Sequence, residues 1–247
     1  MIKNIYTIRH GEAEHQVNSD IWKTHKNNQI PLTELGRSQA DECGRFIAEA
    51  DIDFSKTVFV ISPFARASQT ALCIMKHIPH VVSCTDALVV EQDFGLFSGL
   101  STEQCYKKYP KYAKLYDLHE KTKGKFYVVP PNGESKASVV ERAEKFIEKI
   151  SEKYQDTPIE NIVIVSHCVF NRALNKALLN HSPEWLINEK QHDNCAVKHF
   201  VYQNGCWRDN GFVFVPTNKS LNNSVANAPS KKNIKTKKES RSVALNF

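Results

Sequence analysis

The sequence predicts an α/β protein in three layers, with helices on both faces of a mostly parallel central sheet. Short β-branched segments alternate with segments of helical period along most of the 247 residues. The segment Asn161–Ser166, NIVIVS, is apolar throughout its middle, as expected for a strand that is covered on both faces. The length fits one large domain, and an apolar fraction of 41% is sufficient for a core.

Five segments have the composition of strands because they are short and rich in β-branched and aromatic residues. They are residues 2–8, 57–61, 161–166, 197–202 and 212–215. Strand and helix patterns alternate along the chain, so a mostly parallel sheet is expected.

Four segments show helical periodicity. They are residues 33–50, 65–77, 138–150 and 169–180. The first opens at Thr33, a good N-cap residue, and the third opens with Ser138 and Glu141 in the spacing of a capping box. The first and third segments therefore have a defined start.

Residues 101–127 are predicted to form a small helical insert over the active site, broken at Pro110. The insert contains seven lysines against three acidic residues, a net charge of +4. Some of these lysines are expected to contact a second anionic group of a substrate.

Residues 1–216 are predicted to form the domain, and residues 217–247 a basic, disordered tail. The tail has seven Lys or Arg residues and one Glu. The net charge of the tail is therefore +6, which equals the net charge of the whole chain, so the body of the protein is neutral. The tail could contact acidic partners.

The remaining composition favours a reduced, cytoplasmic protein. The seven cysteines are odd in number and none forms a CxxC pair, which argues against a disulfide framework or a zinc site. No apolar run is long enough for a membrane span, and the N-terminus lacks the pattern of a secretory signal.

Two basic sites follow predicted strands, where ligands of open α/β sheets bind. After the first strand come Arg9, His10 and Gly11, which offer a planar fork for phosphate, a base or nucleophile, and a residue that permits a sharp turn close to a ligand. After the second strand, Arg66 lies in the first turn of a helix, where anions are favoured. Taken alone, these are also compatible with a surface loop and an exposed helix arginine.

Two further sites carry a carboxylate pair and a histidine. Glu91 and Asp93 are two residues apart and would face the same side of an extended segment, where a pair can share one proton. His167 directly follows the most apolar strand. A solvated loop and a structural histidine are the ordinary alternatives.

The set as a whole matches one chemistry. Transfer of a phosphoryl group depends on positioning and on stabilising charge on three equatorial oxygens. Arg9, Arg66 and a protonated His167 could bind those oxygens while His10 attacks phosphorus in line. No acidic cluster that would hold Mg²⁺ accompanies them, so no metal or other cofactor is expected.

Six short segments resemble, in order and approximate spacing, branch 1 of the histidine phosphatase superfamily, the phosphoglycerate mutase-like clan. They are RHGE, LTELGRSQA, SPFARASQTA, EQDFG, PNGES and VSHC, and the resemblance covers roughly residues 2–205. It implies that His10 is the nucleophile that becomes phosphohistidine. It also implies that Arg9, Arg66 and His167 form the phosphate pocket and that Glu91 is the proton donor.

The chain departs from the family pattern in three places. Ala13 replaces a common Ser or Thr, Gln16 replaces an Asn that touches phosphate, and Cys168 replaces a Gly after the second histidine. Gln16 keeps the amide, and the backbone N–H at Cys168 can still serve. The resemblance therefore implies that Gly11, Gln16 and Cys168 remain substrate-binding positions.

The expected function is a metal-independent, histidine acid phosphatase-like phosphomonoesterase. Its substrate would be a phosphorylated small molecule, such as a sugar phosphate, a phosphorylated acid or a nucleotide, or else a phosphoprotein. Two alternatives stay open: a phosphoglycerate mutase-type phosphoryl transfer, and a non-catalytic binding module that docks through its basic tail. The short link between Glu91 and Gly133 favours the phosphatase over the mutase.

Overall fold

The computed structural model describes residues 1–217, so most of the predicted tail lies outside the described residues. The described chain forms one six-stranded sheet in the order β3-β2-β4-β1-β5-β6. The strands are β1 (Asn4–Arg9), β2 (Thr57–Ile61), β3 (Val82–Thr85), β4 (Asn161–Ser166), β5 (Val197–Gln203) and β6 (Cys206–Phe214).

Eight α-helices connect or flank these strands in the described part of the chain. They are α1 (Glu14–Val17), α2 (Glu34–Glu49), α3 (Ala65–Met75), α4 (Thr102–Lys108), α5 (Pro110–Lys123), α6 (Lys136–Tyr154), α7 (Cys168–Leu179) and α8 (Pro183–Asn188). Short 3₁₀ turns lie between several of them.

The sheet is mostly parallel, as predicted. Strands β1, β2, β3 and β4 run in one direction, and β5 and β6 are antiparallel to their neighbours. Arg9 pairs with Ser166, and Ile61 pairs with Val165. The carboxyl ends of β1, β2 and β4 therefore lie side by side.

The two faces of the sheet bury separate apolar cores, which gives the three layers. In β4, Ile162 and Ile164 point into the core beneath α6 and α7, whereas Val163 and Val165 point into the core beneath α2 and α3. The alternation follows from the two-residue period of a strand, so an uninterrupted apolar strand is covered on both faces.

The strand predictions were incomplete at the two edges of the sheet. β3 was missed because the strand has only four residues, most of which are exposed. β6 was predicted to start at residue 212 but starts at Cys206, because an edge strand tolerates Arg, Asp and Asn facing solvent. Asn204 and Gly205 both have positive φ and form the two-residue hairpin turn before β6.

The helix predictions differ from the structure mainly in the residue at which one helix begins. The Thr33 hydroxyl accepts from Gly36 N–H, as predicted for the cap of α2. The start at Ser138 was wrong, because α6 begins at Lys136 and its cap is Ser135, whose hydroxyl accepts from Ser138 N–H. The insert consists of α4 and α5, and Pro110 begins the second helix, which confirms the predicted break.

Candidate active site

The polar residues predicted to follow the strands meet at one edge of the sheet. His10 follows β1, Ser62 follows β2, and His167 follows β4, and all three are buried. The ring centroids of His10 and His167 are 5.2 Å apart. The adjacent parallel strands thus bring together residues that are 157 positions apart in the chain.

His10 is held in one tautomer. Its Nδ1 lies 2.8 Å from the carbonyl oxygen of Gly11, which can only accept, so Nδ1 carries the proton. Its Nε2 lies 3.3 Å from Nε of Arg66, which can only donate, so Nε2 carries a lone pair. The nitrogen available for attack is therefore Nε2.

Arg66 lies in the first turn of α3 and is buried, which corrects the alternative of an exposed helix arginine. One guanidinium nitrogen donates to the carbonyl of Asn27 at 2.7 Å, and Nε donates to His10. Burial lowers the pKa of Arg66 to about 10, so it stays charged at neutral pH. No acidic side chain of the described residues forms an ion pair with it.

Arg9 is held by the loop before β5. Its Nη1 donates to the carbonyl of His192 at 2.6 Å, and its backbone carbonyl accepts from Cys195 N–H at 2.9 Å. The amide of Asn194 donates to the carbonyl of His10 at 2.8 Å. This loop therefore fixes both the backbone and the guanidinium of the Arg9–His10 pair.

His167 is oriented by Ser62, which lies at the end of β2. The Ser62 hydroxyl is 2.8 Å from Nε2 of His167. The other ring nitrogen, Nδ1, is buried and has no hydrogen-bond partner among residues 1–217. A buried ring nitrogen without a protein partner is a ready contact for a bound anion.

The pKa values of both histidines are lowered, so both rings are neutral at pH 7. Burial, followed by the charges of Arg66 and Arg9, holds the pKa of His167 well below its ordinary value. Burial and the charge of Arg66 do the same to the pKa of His10. The expectation of a protonated His167 concerns its contact with a phosphoryl group and stays a prediction, whereas a neutral His10 is the form that a nucleophile requires.

Gly11 is constrained by a neighbouring helix and not by a strained turn. Its φ is not positive, and a Cβ there would lie 2.3 Å from the carbonyl oxygen of Gly36 in α2. Its N–H donates to the hydroxyl of Thr70 at 3.0 Å. The glycine allows the loop after β1 to lie directly on α2, so its predicted role in approaching a ligand remains a prediction.

Gln16 and Cys168 lie at the edge of the site. The Gln16 amide exchanges hydrogen bonds with the amide of Asn194 at 3.2 Å, so it supports the loop that holds Arg9. Cys168 is buried at the first position of α7. Their predicted contacts with substrate remain predictions.

Glu91 is held at the N-terminus of α7. Its carboxylate accepts from the N–H of Val169 at 3.0 Å and more weakly from Phe170 at 3.4 Å. These residues follow His167 and Cys168 in the chain, so Glu91 contacts the helix that begins directly after His167. Helix N–H groups favour a carboxylate at this place.

Glu91 and Asp93 do not act as a pair. Asp93 is exposed and accepts from Gly95 N–H at 2.8 Å, whereas Glu91 faces α7. The prediction of a shared proton is wrong, because the segment turns at Asp93 and does not remain extended. The ordinary alternative, a solvated loop carboxylate, describes Asp93 correctly.

A clamp formed by Arg142 and Glu134 holds the segment on both sides of Glu91. Arg142 of α6 donates to the carbonyls of Leu88 and Val90 at 2.6 and 2.9 Å. It also donates to the Glu134 carboxylate at 2.6 Å, which accepts in turn from Asp93 N–H at 3.1 Å. The chain before and after Glu91 is therefore tied to one ion pair.

Several of these supporting residues were not predicted from the sequence. They are Ser62, His192, Asn194, Arg142 and Glu134. Each of them contacts a residue 40 or more positions away in the chain. Arg142 does so through backbone carbonyls, which carry no sequence signal. Ser62 stands in the SPFARASQTA segment and Glu134 in the PNGES segment, and these were the available signals.

The buried histidines predict that the protein loses stability in mild acid. The pKa of His192 is lowered by burial to about 3, and the pKa values of His10 and His167 are also lowered, so below pH 6.5 the unfolded chain binds more protons than the folded protein. Stability then falls as pH falls. Each histidine contributes up to about 1.4 kcal/mol between pH 7.5 and 5.5, and we expect a total loss of about 1–4 kcal/mol in the free energy of unfolding.

Urea titrations at the two pH values measure this loss. His192→Gln should reduce the pH dependence, whereas His25→Gln, at an exposed histidine, should not. Equal pH dependence in the wild type and His192→Gln would contradict the assignment for His192.

A profile described as histidine phosphatase superfamily (branch 1) matches residues 5–212. The phosphoglycerate mutase-like protein AT74H of Arabidopsis thaliana is 29% identical over 188 residues, 69% of this chain, and the chain spans only 63% of that protein's length. The uncharacterized phosphatase PhoE of Bacillus subtilis is 27% identical over 203 residues, 81% of this chain and 89% of that protein.

A solved structure gives the same fold. The crystal structure of the alpha-ribazole phosphatase from Shigella flexneri superposes with a TM-score of 0.68 at 20% identity, covering 85% of this chain and 95% of that chain. Separately, no helix within residues 1–217 has the length and apolar character needed to span a membrane.

Proposed function

Since the chain belongs to branch 1 of the histidine phosphatase superfamily, we propose that it hydrolyses phosphomonoesters through a phosphohistidine on His10. Phosphatase relatives support phosphoester hydrolysis in general. The observation that carries the finer proposal is the fixed tautomer of His10, which leaves a neutral Nε2 beside two buried arginines.

The first step is attack on phosphorus. The substrate phosphoryl group lies against Arg9, Arg66 and Nδ1 of His167, and Arg66 exchanges its contact with His10 for a phosphoryl oxygen. Nε2 of His10 forms a bond to phosphorus while the bond to the ester oxygen breaks. Glu91, in its protonated form, gives its proton to that leaving oxygen.

The second step returns the enzyme to its starting state. The Glu91 carboxylate takes a proton from water, and the water oxygen attacks phosphorus as the bond to Nε2 breaks. Inorganic phosphate leaves, and Glu91 again holds a proton. No step uses a metal, so the proposed activity survives chelation.

The proposed substrates are phosphorylated small molecules, such as a sugar phosphate, a phosphorylated acid or a nucleotide. Structural similarity to an alpha-ribazole phosphatase supports this class. A phosphoprotein stays the alternative substrate. The earlier expectation that the insert lysines bind a second anionic group, including Lys107 and Lys108, remains untested. The location in the cell also remains a prediction.

A mutase is the second candidate, because one relative is named as phosphoglycerate mutase-like. A mutase has to keep its phosphoryl group from water, whereas a phosphatase has to admit water. A non-catalytic module that docks through residues 217–247 is the third. Removal of the tail should leave turnover unchanged in the first two cases and abolish partner binding in the third.

Phosphate release from a panel of phosphomonoesters, in the presence of EDTA, tests the proposal. The panel includes an aryl phosphate and 3-phosphoglycerate. Release that survives EDTA supports the phosphatase. Conversion of 3-phosphoglycerate to its 2-isomer by the primed enzyme, without release from any ester, would identify a mutase.

The clamp around Glu91 predicts that a substitution at Arg142 lowers turnover, because Arg142 positions the proposed proton donor. Arg142→Gln removes the donor that holds both sides of the segment, and we expect kcat to fall about 10- to 100-fold for an alkyl phosphate. The loss should be smaller for an aryl phosphate, whose leaving oxygen needs no proton.

Lys149→Gln is the matched control, because Lys149 lies on the same helix and pairs with Asp86 at the surface. Its kcat should stay near that of the wild type. An equal loss for both esters in Arg142→Gln would show that the clamp supports the fold and does not position Glu91.

A further inference from the structure

Helix α5 of the insert directs most of its apolar side chains away from the protein. Ala113 is its only buried residue. Tyr112, Leu115 and Leu118 follow one another at three-residue intervals and are each about half exposed, at 51%, 48% and 56%. Single exposed leucines are ordinary, but a row of apolar residues on one side of a helix marks an interaction surface.

The row continues onto the chain that follows α5. Tyr112 and Leu115 line a groove of about 390 Å³ together with Tyr127 and Val129, both of which are more than half exposed. We call Tyr112, Leu115, Leu118, Tyr127 and Val129 the insert surface. It combines aliphatic and aromatic side chains on one exposed part of the described protein.

The cations around the insert surface are not neutralised by the protein. All seven insert lysines are exposed, and none forms an ion pair with a residue in the range 1–217. Lys123 lines the groove, and Lys123 and Lys125 flank Tyr127 in the adjoining depression. Of the insert's acidic residues, Asp117 is already engaged by the hydroxyl of Tyr106.

We propose that the insert surface binds an anionic lipid bilayer. Leu115, Leu118 and Val129 would enter the interfacial layer, and the surrounding lysines would lie against the headgroups. Exposed apolar side chains bordered by free lysines are the combination that an anionic bilayer surface binds.

Charge complementarity alone would also suit an acidic polypeptide or a nucleic acid. A nucleic acid would use the lysines but not the exposed leucines and valine, since it offers no apolar layer for them. An acidic polypeptide with apolar side chains is distinguished by the test below, because the wild type would then not bind vesicles. The lipid surface uses both parts of the insert surface. This proposal is independent of the proposed phosphatase chemistry.

Sedimentation of the full chain with vesicles tests the proposal. Phosphatidylcholine vesicles, with and without phosphatidylserine, are the probe. We expect the wild type to bind only the vesicles that contain phosphatidylserine. The double variant Leu115→Gln/Leu118→Gln should bind at least tenfold more weakly, and Leu72→Gln, an equally exposed leucine on α3, should bind normally.

A charge-reversal pair completes the design. The double variant Lys114→Glu/Lys121→Glu should also bind the vesicles at least tenfold more weakly. Lys76→Glu, at an exposed lysine that caps the C-terminus of α3, should bind normally. The basic residues after Thr217 are present in every variant, so differences between variants do not arise from them. Circular dichroism and a urea titration check that each variant is folded.

Three results would overturn the proposal. One is no binding of the wild type to phosphatidylserine vesicles. Another is binding that neither double variant weakens, which would assign it to another part of the chain. The third is loss in the lysine variant with full binding in the leucine variant, which would show that headgroups are bound by charge alone and that the apolar side chains do not enter the bilayer.

Discussion

His10→Ala is expected to lower kcat for every phosphomonoester by at least about 10³-fold, because it removes the atom that bonds to phosphorus. Arg9, Arg66 and His167 would remain, so binding of substrate should change much less than turnover. Steady-state kinetics with an aryl phosphate separate the two effects through kcat and KM.

The control for this variant is His15, which lies in α1, five positions after His10. The rings of His15 and His10 have centroids 6.2 Å apart, and burial lowers the pKa of His15 to about 3, but no hydrogen bond joins His15 to Arg66 in the described structure. His15→Phe keeps an aromatic ring against Trp22, which lies 5.7 Å away. It should retain kcat within about tenfold, and a loss as large as that of His10→Ala would contradict the assignment of the nucleophile.

Glu91→Gln is expected to lower kcat by about 10²- to 10⁴-fold for an alkyl phosphate, since an amide cannot give a proton to the leaving oxygen. For an aryl phosphate the first step needs no such proton, and the second step, in which water is activated, should become limiting. The phosphoenzyme should then accumulate. The two esters therefore separate the acid role of Glu91 from its base role.

Asp93→Asn is the matched control for Glu91. Asp93 lies two residues away but accepts from Gly95 N–H and is exposed. It should change kcat little for either ester, and rapid quench and steady-state kinetics would show this. If Asp93→Asn lowered kcat as much as Glu91→Gln does, Glu91 and Asp93 would have to act as a pair, contrary to the structure.

Much of the site could be predicted because parallel strands place their carboxyl ends together. Arg9 ends β1, and His10 and His167 directly follow β1 and β4, whose apolar character is plain in the sequence. Arg66 follows β2 at the start of a helix. Their convergence needs only strand order and direction, which the alternation of strands and helices strongly restricts.

The supporting contacts could not be predicted in the same way. The carbonyl of His192 binds Arg9 across 183 positions, and any residue type has a carbonyl, so no sequence signal marks it. The Ser62 contact with His167 depends on the register between β2 and β4. The neutral state of His167 depends on complete burial, which residue order alone does not give.

The separation of Glu91 from Asp93 has a similar cause. A spacing of two places residues on one side only while the chain stays extended, and here the chain turns at Asp93 to meet Glu134. The edge strands β3 and β6 were also hard to define, because exposed strands do not need an apolar pattern.

The most direct test is to trap the phosphoenzyme and locate the phosphoryl group. Glu91→Gln is mixed with an aryl phosphate, quenched in alkali to preserve phosphohistidine, digested and analysed by mass spectrometry. We predict one phosphoryl group on His10, absent in the His10→Ala/Glu91→Gln double variant. A phosphoryl group on another side chain, such as Cys168 or Ser62, or none during continuing phosphate release, would contradict catalysis through phosphohistidine at His10.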